Sequence, residues 1–198
     1  MIKEDPPMAI TEPIRNKQHI RALTGYYLQR GQLRNHALIV LGIHTALRIG
    51  DLLRLRWEDV YDFGQHSVRP ALRLTERKTG KTKVVALNQA AAKALALLAA
   101  ERSPPPEAFL MENRLTARAI SRVQAYRIIR AAAEILRLGR VSCHSLRKTF
   151  GYHAWKYGVS LAVIMAIFNH SSLAVTRRYL GITQDDQNRA YRKLALLA

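Results

Sequence analysis

Apolar residues in this chain recur at a helical spacing almost throughout, and the spacing changes once. Between residues 59 and 87, Val68, Leu72 and Leu74, then Val84, Val85 and Leu87, follow a strand-like pattern, with Thr79-Gly80-Lys81 as the turn between the two runs. A chain that is helical on both sides of one short extended segment has few folds open to it. The pattern predicts a mainly α domain with a small antiparallel β-sheet (α+β), whose hairpin tip carries Lys78, Lys81 and Lys83.

The helices are read from their apolar faces and their stops. Residues 1–14, with Pro6, Pro7 and Pro13 and no periodicity, read as a flexible N-terminal arm. Over 16–30, Ile20, Leu23, Tyr27 and Leu28 share a face and Gly31 follows; 33–46 carries Leu38, Leu41 and Ile43. Gly50 is expected to break the helix there and Asp51 to cap a short one after it. Asn88 caps an alanine-rich helix to about residue 101, ended by Ser103-Pro104-Pro105-Pro106. Residues 121–138 should bury Val123, Tyr126, Ile129, Ala133 and Leu136, with Gly139 as terminator. Further helices are expected over 145–157, 161–168 and 172–179, and a last one over 185–197 presents Ala190, Tyr191, Leu194 and Leu197. Without an internal repeat, the economical division is the arm, one domain over 15–183, and a C-terminal helix over 184–198.

The charge narrows the partner. Lys+Arg 32 against Asp+Glu 14 gives +18, a self-repulsion that a polyanion would offset. Nucleic acid is the first candidate and an anionic membrane surface the second. An apolar content of 48% is high for a histone-like packing protein. No apolar run reaches bilayer length, residues 90–100 being interrupted by Lys93, and the acid- and proline-bearing start does not resemble a signal peptide. The lone Cys143 leaves no internal disulfide and no multi-cysteine metal site. The expectation is a soluble, intracellular protein.

Chemistry concentrates in residues 143–179, which hold His144, Arg147, His170 and Tyr179. Histidine, arginine and tyrosine together can hold a phosphate and attack it. Each piece alone is weak. His-x-x-Arg occurs twice, at His66 to Arg69 and at His144 to Arg147, and a lone histidine is more often a core or surface residue. The joint order carries more weight. Thr45-Ala46-Leu47-Arg48-Ile49-Gly50-Asp51-Leu52 precedes Trp57-Glu58-Asp59; Arg77-Lys78-Thr79-Gly80-Lys81 forms a turn; His144-Ser145-Leu146-Arg147 starts a helix; and His170-Ser171-Ser172 comes shortly before Tyr179. In this order and spacing the chain resembles the catalytic domain of the tyrosine recombinases, the phage integrase family, over roughly residues 15–190.

The resemblance implies a site-specific recombinase that cleaves and rejoins DNA through a 3′-phosphotyrosine. Tyr179 would be the nucleophile; an ordinary phenol, with a pKa near about 10, needs a base or a positive surrounding. Arg48 and Arg147 would grip the non-bridging phosphate oxygens and the charge that develops on them. Lys78 would protonate the departing 5′ oxygen, with Lys81 and Lys83 as competitors. His144 would be base or proton shuttle, His170 a further phosphate donor, and Asp51 a support behind Arg48. Such chemistry implies no metal, no ATP and no other cofactor. The implied partners are double-stranded DNA, further copies of the chain (a tetramer on paired sites, monomer off DNA) and accessory DNA-bending proteins, with no membrane and a cytoplasmic, nucleoid-associated location.

The sequence departs from the family pattern at Asn169 and Ala46, where glycine is common, and at Lys148, where histidine is frequent. Asn169 tolerates the same left-handed turn. Most relatives carry a helical domain ahead of the catalytic one, where this chain has about fifteen residues. Met1 favours a naturally short member, like the fimbrial-type DNA invertases, over a fragment. Three rivals stand beside this reading: a helix-turn-helix regulator built on residues 160–179, a type IB topoisomerase with the same chemistry, and a basic architectural protein.

Overall fold

The computed structural model describes residues 11–75, 80, 82–183, 186, 188, 191 and 192. Helix α1 (Lys17–Leu28) starts where the Asn16 side chain accepts from the Gln18 amide, and helix α2 (Leu33–His44) follows a turn closed by Gly31 at φ 65°. Nothing charged occurs between His36 and Ile43, and every residue of that run is buried. A helix apolar on all sides belongs in the middle of a domain. Ala37, Leu38 and Leu41 pack into one cluster with Leu52, Trp57, Leu72, Leu95, Leu98, Leu110 and Met111. Ile39 and Ile43 pack into another with Leu23, Tyr27, Ile129, Val141 and Leu146.

Helix α2 ends at His44, before the expected break, because Ala46 takes the left-handed conformation (φ 56°). Gly50 lies inside the short α3 (Ile49–Leu52), where a Cβ would stand 2.6 Å from a guanidinium nitrogen of Arg122. The residue at the N-cap is Arg48, without a side-chain cap; Asp51 sits buried in the first turn rather than capping it.

A 3-10 turn (Trp57–Asp59) buries Trp57 and leads to the hairpin β1 (Tyr61–Asp62) with β2 (Ser67–Val68). The longer hairpin pairs β3 (Ala71–Thr75) with β4 (Thr82–Ala86) in the register Leu72 to Val85 and Leu74 to Lys83. Val84 therefore faces solvent, and Lys83, expected at the hairpin tip, shares the inner side with Leu74 and Val85. The Lys78 tip and Lys81 lie outside the described residues. Helix α4 (Gln89–Arg102) is capped by the Asn88 side chain, as expected, and packs Ala91, Ala94, Leu95 and Leu98 against α2. A third hairpin, β5 (Glu112–Asn113) with β6 (Arg118–Ala119), was not anticipated; two-residue strands leave no periodicity.

Helix α5 (Arg122–Ile135) buries Ile129 and Ala133 as expected, but its inward face is rotated away from Val123 and Tyr126. Ala125, Ile129, Ala132 and Ala133 are buried, while Val123 and Tyr126 are exposed. The small side chains let α1 come close enough for the Tyr27 hydroxyl to donate to the Ile128 carbonyl at 2.7 Å. Helix α6 (Cys143–Lys156) begins two residues before the expected start, with a capping box between Ser142 and Ser145. It approaches α2 where a Cβ on Gly42 would meet Leu146 at 2.7 Å. On its other side a Cβ on Gly151 would meet Leu180 at 2.4 Å and Phe168 at 2.6 Å. Two glycines thus draw α6 between the core and the pair α7 (Leu161–Phe168) and α8 (Leu173–Leu180). Of the expected final helix, Asp186, Asn188, Tyr191 and Arg192 are helical and the remaining positions lie outside the described residues.

Residues 1–10 of the expected arm lie outside the described residues, and the stretch from Glu12 to Arg15 is tied to the domain. Pro13 and Ile14 are buried, the Ile14 amide donates to Thr149 Oγ1 at 2.8 Å, and His153 Nε2 donates to the Ile14 carbonyl at 3.0 Å. Arg15 donates to the carbonyl of Gly181, just past α8, at 2.9 Å. Residues 12–15 form a strap from α6 to the end of α8.

Candidate active site

The end of α7 is the point on which the site is built. A helix leaves its last carbonyls without intrahelical partners and carries partial negative charge there. Asn169 follows in the left-handed conformation (φ 52°), as expected of it, and turns the chain away so that those carbonyls stay open to side chains. Arg48, from the N-terminus of α3, donates to the Phe168 carbonyl at 3.3 Å. Arg147, from the first half of α6, donates to the same oxygen at 2.9 Å and also to the carbonyl of Ala46. Lys83, from β4, donates to the carbonyl of Ile167. Three cations from distant stretches of sequence are thus fixed by two successive carbonyls.

The left-handed residue Ala46 has a role in this. By ending α2 early it frees its own carbonyl for Arg147 and sends the chain into α3 with Arg48 at the cap. Arg147 is 4% exposed, and its guanidinium lies 4.6 Å from the centre of the Phe168 ring. Burial with several hydrogen bonds is how a protein keeps a guanidinium in one orientation.

Tyr179 projects from α8 into this group, half-buried. Its ring meets Phe168 edge-on at 5.3 Å and His170 at 5.0 Å, and the Lys148 ammonium lies 5.1 Å from its centre. Burial raises the phenol's pKa; the charge and hydrogen bonding of Arg147, and the charge of Arg48, act to lower it. His170 is oriented by Thr176 Oγ1, 3.1 Å from its Nδ1. His144 stands at the first turn of α6, open to solvent on one side. Burial of the rest of its ring, then Arg147 and Lys148, hold its pKa below the usual imidazole value.

Of the residues singled out from the sequence, the structure brings Arg48, Arg147, His170 and Tyr179 together. His144 is three residues before Arg147 on α6, Asp51 is buried in the turn that Arg48 caps, and Lys78 lies outside the described residues. The second His-x-x-Arg is elsewhere: Arg69 pairs with Asp62 at 3.4 Å on the β1–β2 hairpin. Sequence reasoning missed the Phe168 carbonyl, the inward turn of Lys83 and the burial of Lys148. Backbone acceptors leave no mark in a sequence. Lys148 stood out there only as a departure from the family pattern.

Helices packed as these are, with two arginines and a tyrosine converging at the end of α7, define the catalytic domain of a tyrosine recombinase. The comparison with known proteins agrees: the chain belongs to the phage integrase family, whose profile matches residues 15–185. It is 35% identical over 185 residues to the probable integrase/recombinase YoeC of Bacillus subtilis (strain 168), covering 93% of this chain and 97% of that protein. It is 25% identical over 200 residues to tyrosine recombinase XerC of Roseiflexus sp. (strain RS-1), covering 91% of this chain and 61% of that one. The chain therefore spans nearly all of YoeC and less than two thirds of this XerC. Among solved structures, XerA recombinase superposes with a TM-score of 0.77 at 19% identity, over 98% of this chain and 67% of that one. XerH bound to its palindromic difH substrate, in a post-cleavage complex, gives 0.74 at 18% identity over 91% and 52%. At these identities the structural likeness concerns the fold.

Proposed function

We propose that this chain breaks and rejoins DNA strands at specific sites through a covalent 3′-phosphotyrosine. The observation that carries the reading is the convergence of Arg48 and Arg147 on the Phe168 carbonyl beside the ring of Tyr179. In the proposed step the Tyr179 oxygen bonds to phosphorus as the bond to the 5′ oxygen breaks. The phenolic proton passes to His144 and a proton from Lys78 goes to the leaving oxygen. Arg48 and Arg147, with His170, hold the non-bridging oxygens as charge accumulates on them, and Asp51 steadies the turn behind Arg48. Attack by a 5′-hydroxyl from a second strand reverses the step. Because the phosphotyrosine retains the bond energy, ATP is not consumed. Because a held phenol replaces an activated water and guanidiniums carry the charge, the proposed mechanism is independent of metal.

The formal charge of +18 and the DNA-bound state of the solved XerH recombinase support double-stranded DNA as the partner. The family match over residues 15–185 supports a catalytic domain over 15–183. The finer proposals are four protomers on paired sites, the segment 184–198 docking in trans, accessory DNA-bending proteins, and a cytoplasmic, nucleoid-associated location. No helix among the described residues is long and apolar enough to cross a membrane.

Helices α7 and α8 do form a helix–turn–helix pair, but the second helix holds Tyr179 against the arginines, which a regulator does not require. The test is a duplex carrying the sequence the protein selects from a random pool, nicked beside the cleaved phosphate so that religation is blocked. A covalent adduct that is absent with Tyr179→Phe is expected. Reversible binding without an adduct would leave the regulator, and relaxation of plasmids lacking the selected site would point to a topoisomerase. A truncation keeping Asp186 and removing 188–198 should abolish strand exchange while sparing the adduct; unchanged exchange rules out docking in trans.

A further inference from the structure

Lys148 occupies a position that costs free energy. It is 7% exposed, in a helix that also buries Arg147, so its ammonium has given up most of its water. Among the described residues, the contact its ammonium makes is with the ring of Tyr179, 5.1 Å from the ring centre. That ring is already bounded by Phe168 and His170, both edge-on or tilted to it. A cation over the face fixes the remaining direction in which the ring can tip.

We propose that Lys148 is a positioning residue for the nucleophile: its charged ammonium holds the ring of Tyr179 in place between Phe168 and His170 and biases the neighbouring proton-transfer groups through its charge. The inference rests on Tyr179 being the attacking group. The groups facing this centre are Arg147 and His144 from α6, Arg48 from α3, His170 from the α7–α8 turn, and Glu12 from the strap. Burial lowers the pKa of Lys148 and the Glu12 carboxylate opposes that, so the strap favours the charged form. The Lys148 charge in turn disfavours the imidazolium of His144, leaving that ring able to take a proton.

The test is the pH dependence of adduct formation on the nicked duplex described above. Lys148→Met keeps the apolar stem and removes the charge. The acidic limb of the profile should then move to higher pH, because the His144 imidazole would hold its proton longer. On that limb, well below the imidazole's pKa, the rate should fall up to about tenfold for a one-unit pKa rise, and the deficit should shrink towards neutral pH and above. Lys148→Arg should keep the wild-type shape. A Lys148→Met profile lowered at every pH without moving would mean a purely structural role and would overturn the proposal. Lys148→Gln gives the same reading if the Met variant does not fold. In the otherwise native chain, the Lys148 Cε protons should show an upfield ring shift that Tyr179→Leu removes; without that shift the proposal fails as well. An adduct that persists in Tyr179→Phe would instead sink the nucleophile assignment itself.

Discussion

Arg48 and Arg147 donate to one and the same oxygen, the Phe168 carbonyl, although one comes from the cap of α3 and the other from the middle of the domain's second half. The spacing between the guanidiniums is therefore set by a backbone atom at the end of α7, and a change in either arginine disturbs the register of both. Arg147→Lys retains charge and loses the fork. We expect adduct formation to fall roughly 10²–10³-fold, the scale for losing one oriented transition-state donor. DNA retention in a filter assay should change little. A loss of affinity that matches the loss of rate would contradict this division.

Gly151 is the second point of control. Its missing Cβ admits Leu180 and Phe168, the residues that seat α8 and the end of α7. Gly151→Ala should push α8 outward and destabilise the fold by about 1–3 kcal/mol, as overpacking does. Tyr179 rides on that helix, so the adduct rate at a temperature where the variant is fully folded should fall by more than DNA affinity. Denaturant midpoints and adduct yields measured together decide the point.

His144 and His44 have pKa values held below the ordinary imidazole range, mainly by burial. Below about pH 6.5 the unfolded chain binds protons at these positions before the folded one does. Stability therefore rises with pH through that window and is complete above it, and it is lost as pH falls. Urea midpoints for the wild type should drop between about pH 6.5 and 5, and the double variant His44→Gln/His144→Gln should show a shallower drop. Equal slopes would contradict the burial of these rings.

Binding should respond steeply to salt. If the basic surface neutralises about six to ten phosphates, affinity falls roughly 10³–10⁵-fold between about 50 and 200 mM salt. A flat response in fluorescence anisotropy would argue against backbone tracking. Charge reversal at Arg114 or Arg118, both exposed on the β5–β6 hairpin, is a local test of whether that surface lies on the DNA; unchanged affinity would place it elsewhere.

Much of this domain is legible before any coordinates. The helices around Leu23, Leu38 and Leu95 follow from the sequence pattern, the capping side chain of Asn88 marks the start of α4, and the motif order brings Arg48, Arg147, His170 and Tyr179 into one group. What stayed hidden shares a physical cause. The adjacent valines 84 and 85 do not reveal which faces inward, so the phase of β4, and with it the reach of Lys83, needed a partner strand. Alanine reads as neutral, so the face of α5 that packs through Ala125 and Ala132 lost to Val123 and Tyr126. Lys148 reads as a solvated helix residue because nothing local says that an aromatic ring will cover it.

The strap at Ile14 and Arg15 has a consequence for how the polypeptide is routed. Since Arg15 touches Gly181, the way into the domain and the way out of it are neighbours, and the path from one to the other is nearly a closed ring. A ring with its seam at the surface can be reopened elsewhere. Joining the two ends with a short linker and cutting the exposed turn around Leu115 should give a permuted protein that folds. In such a variant the clasp behind the Tyr179 helix would become continuous covalent chain.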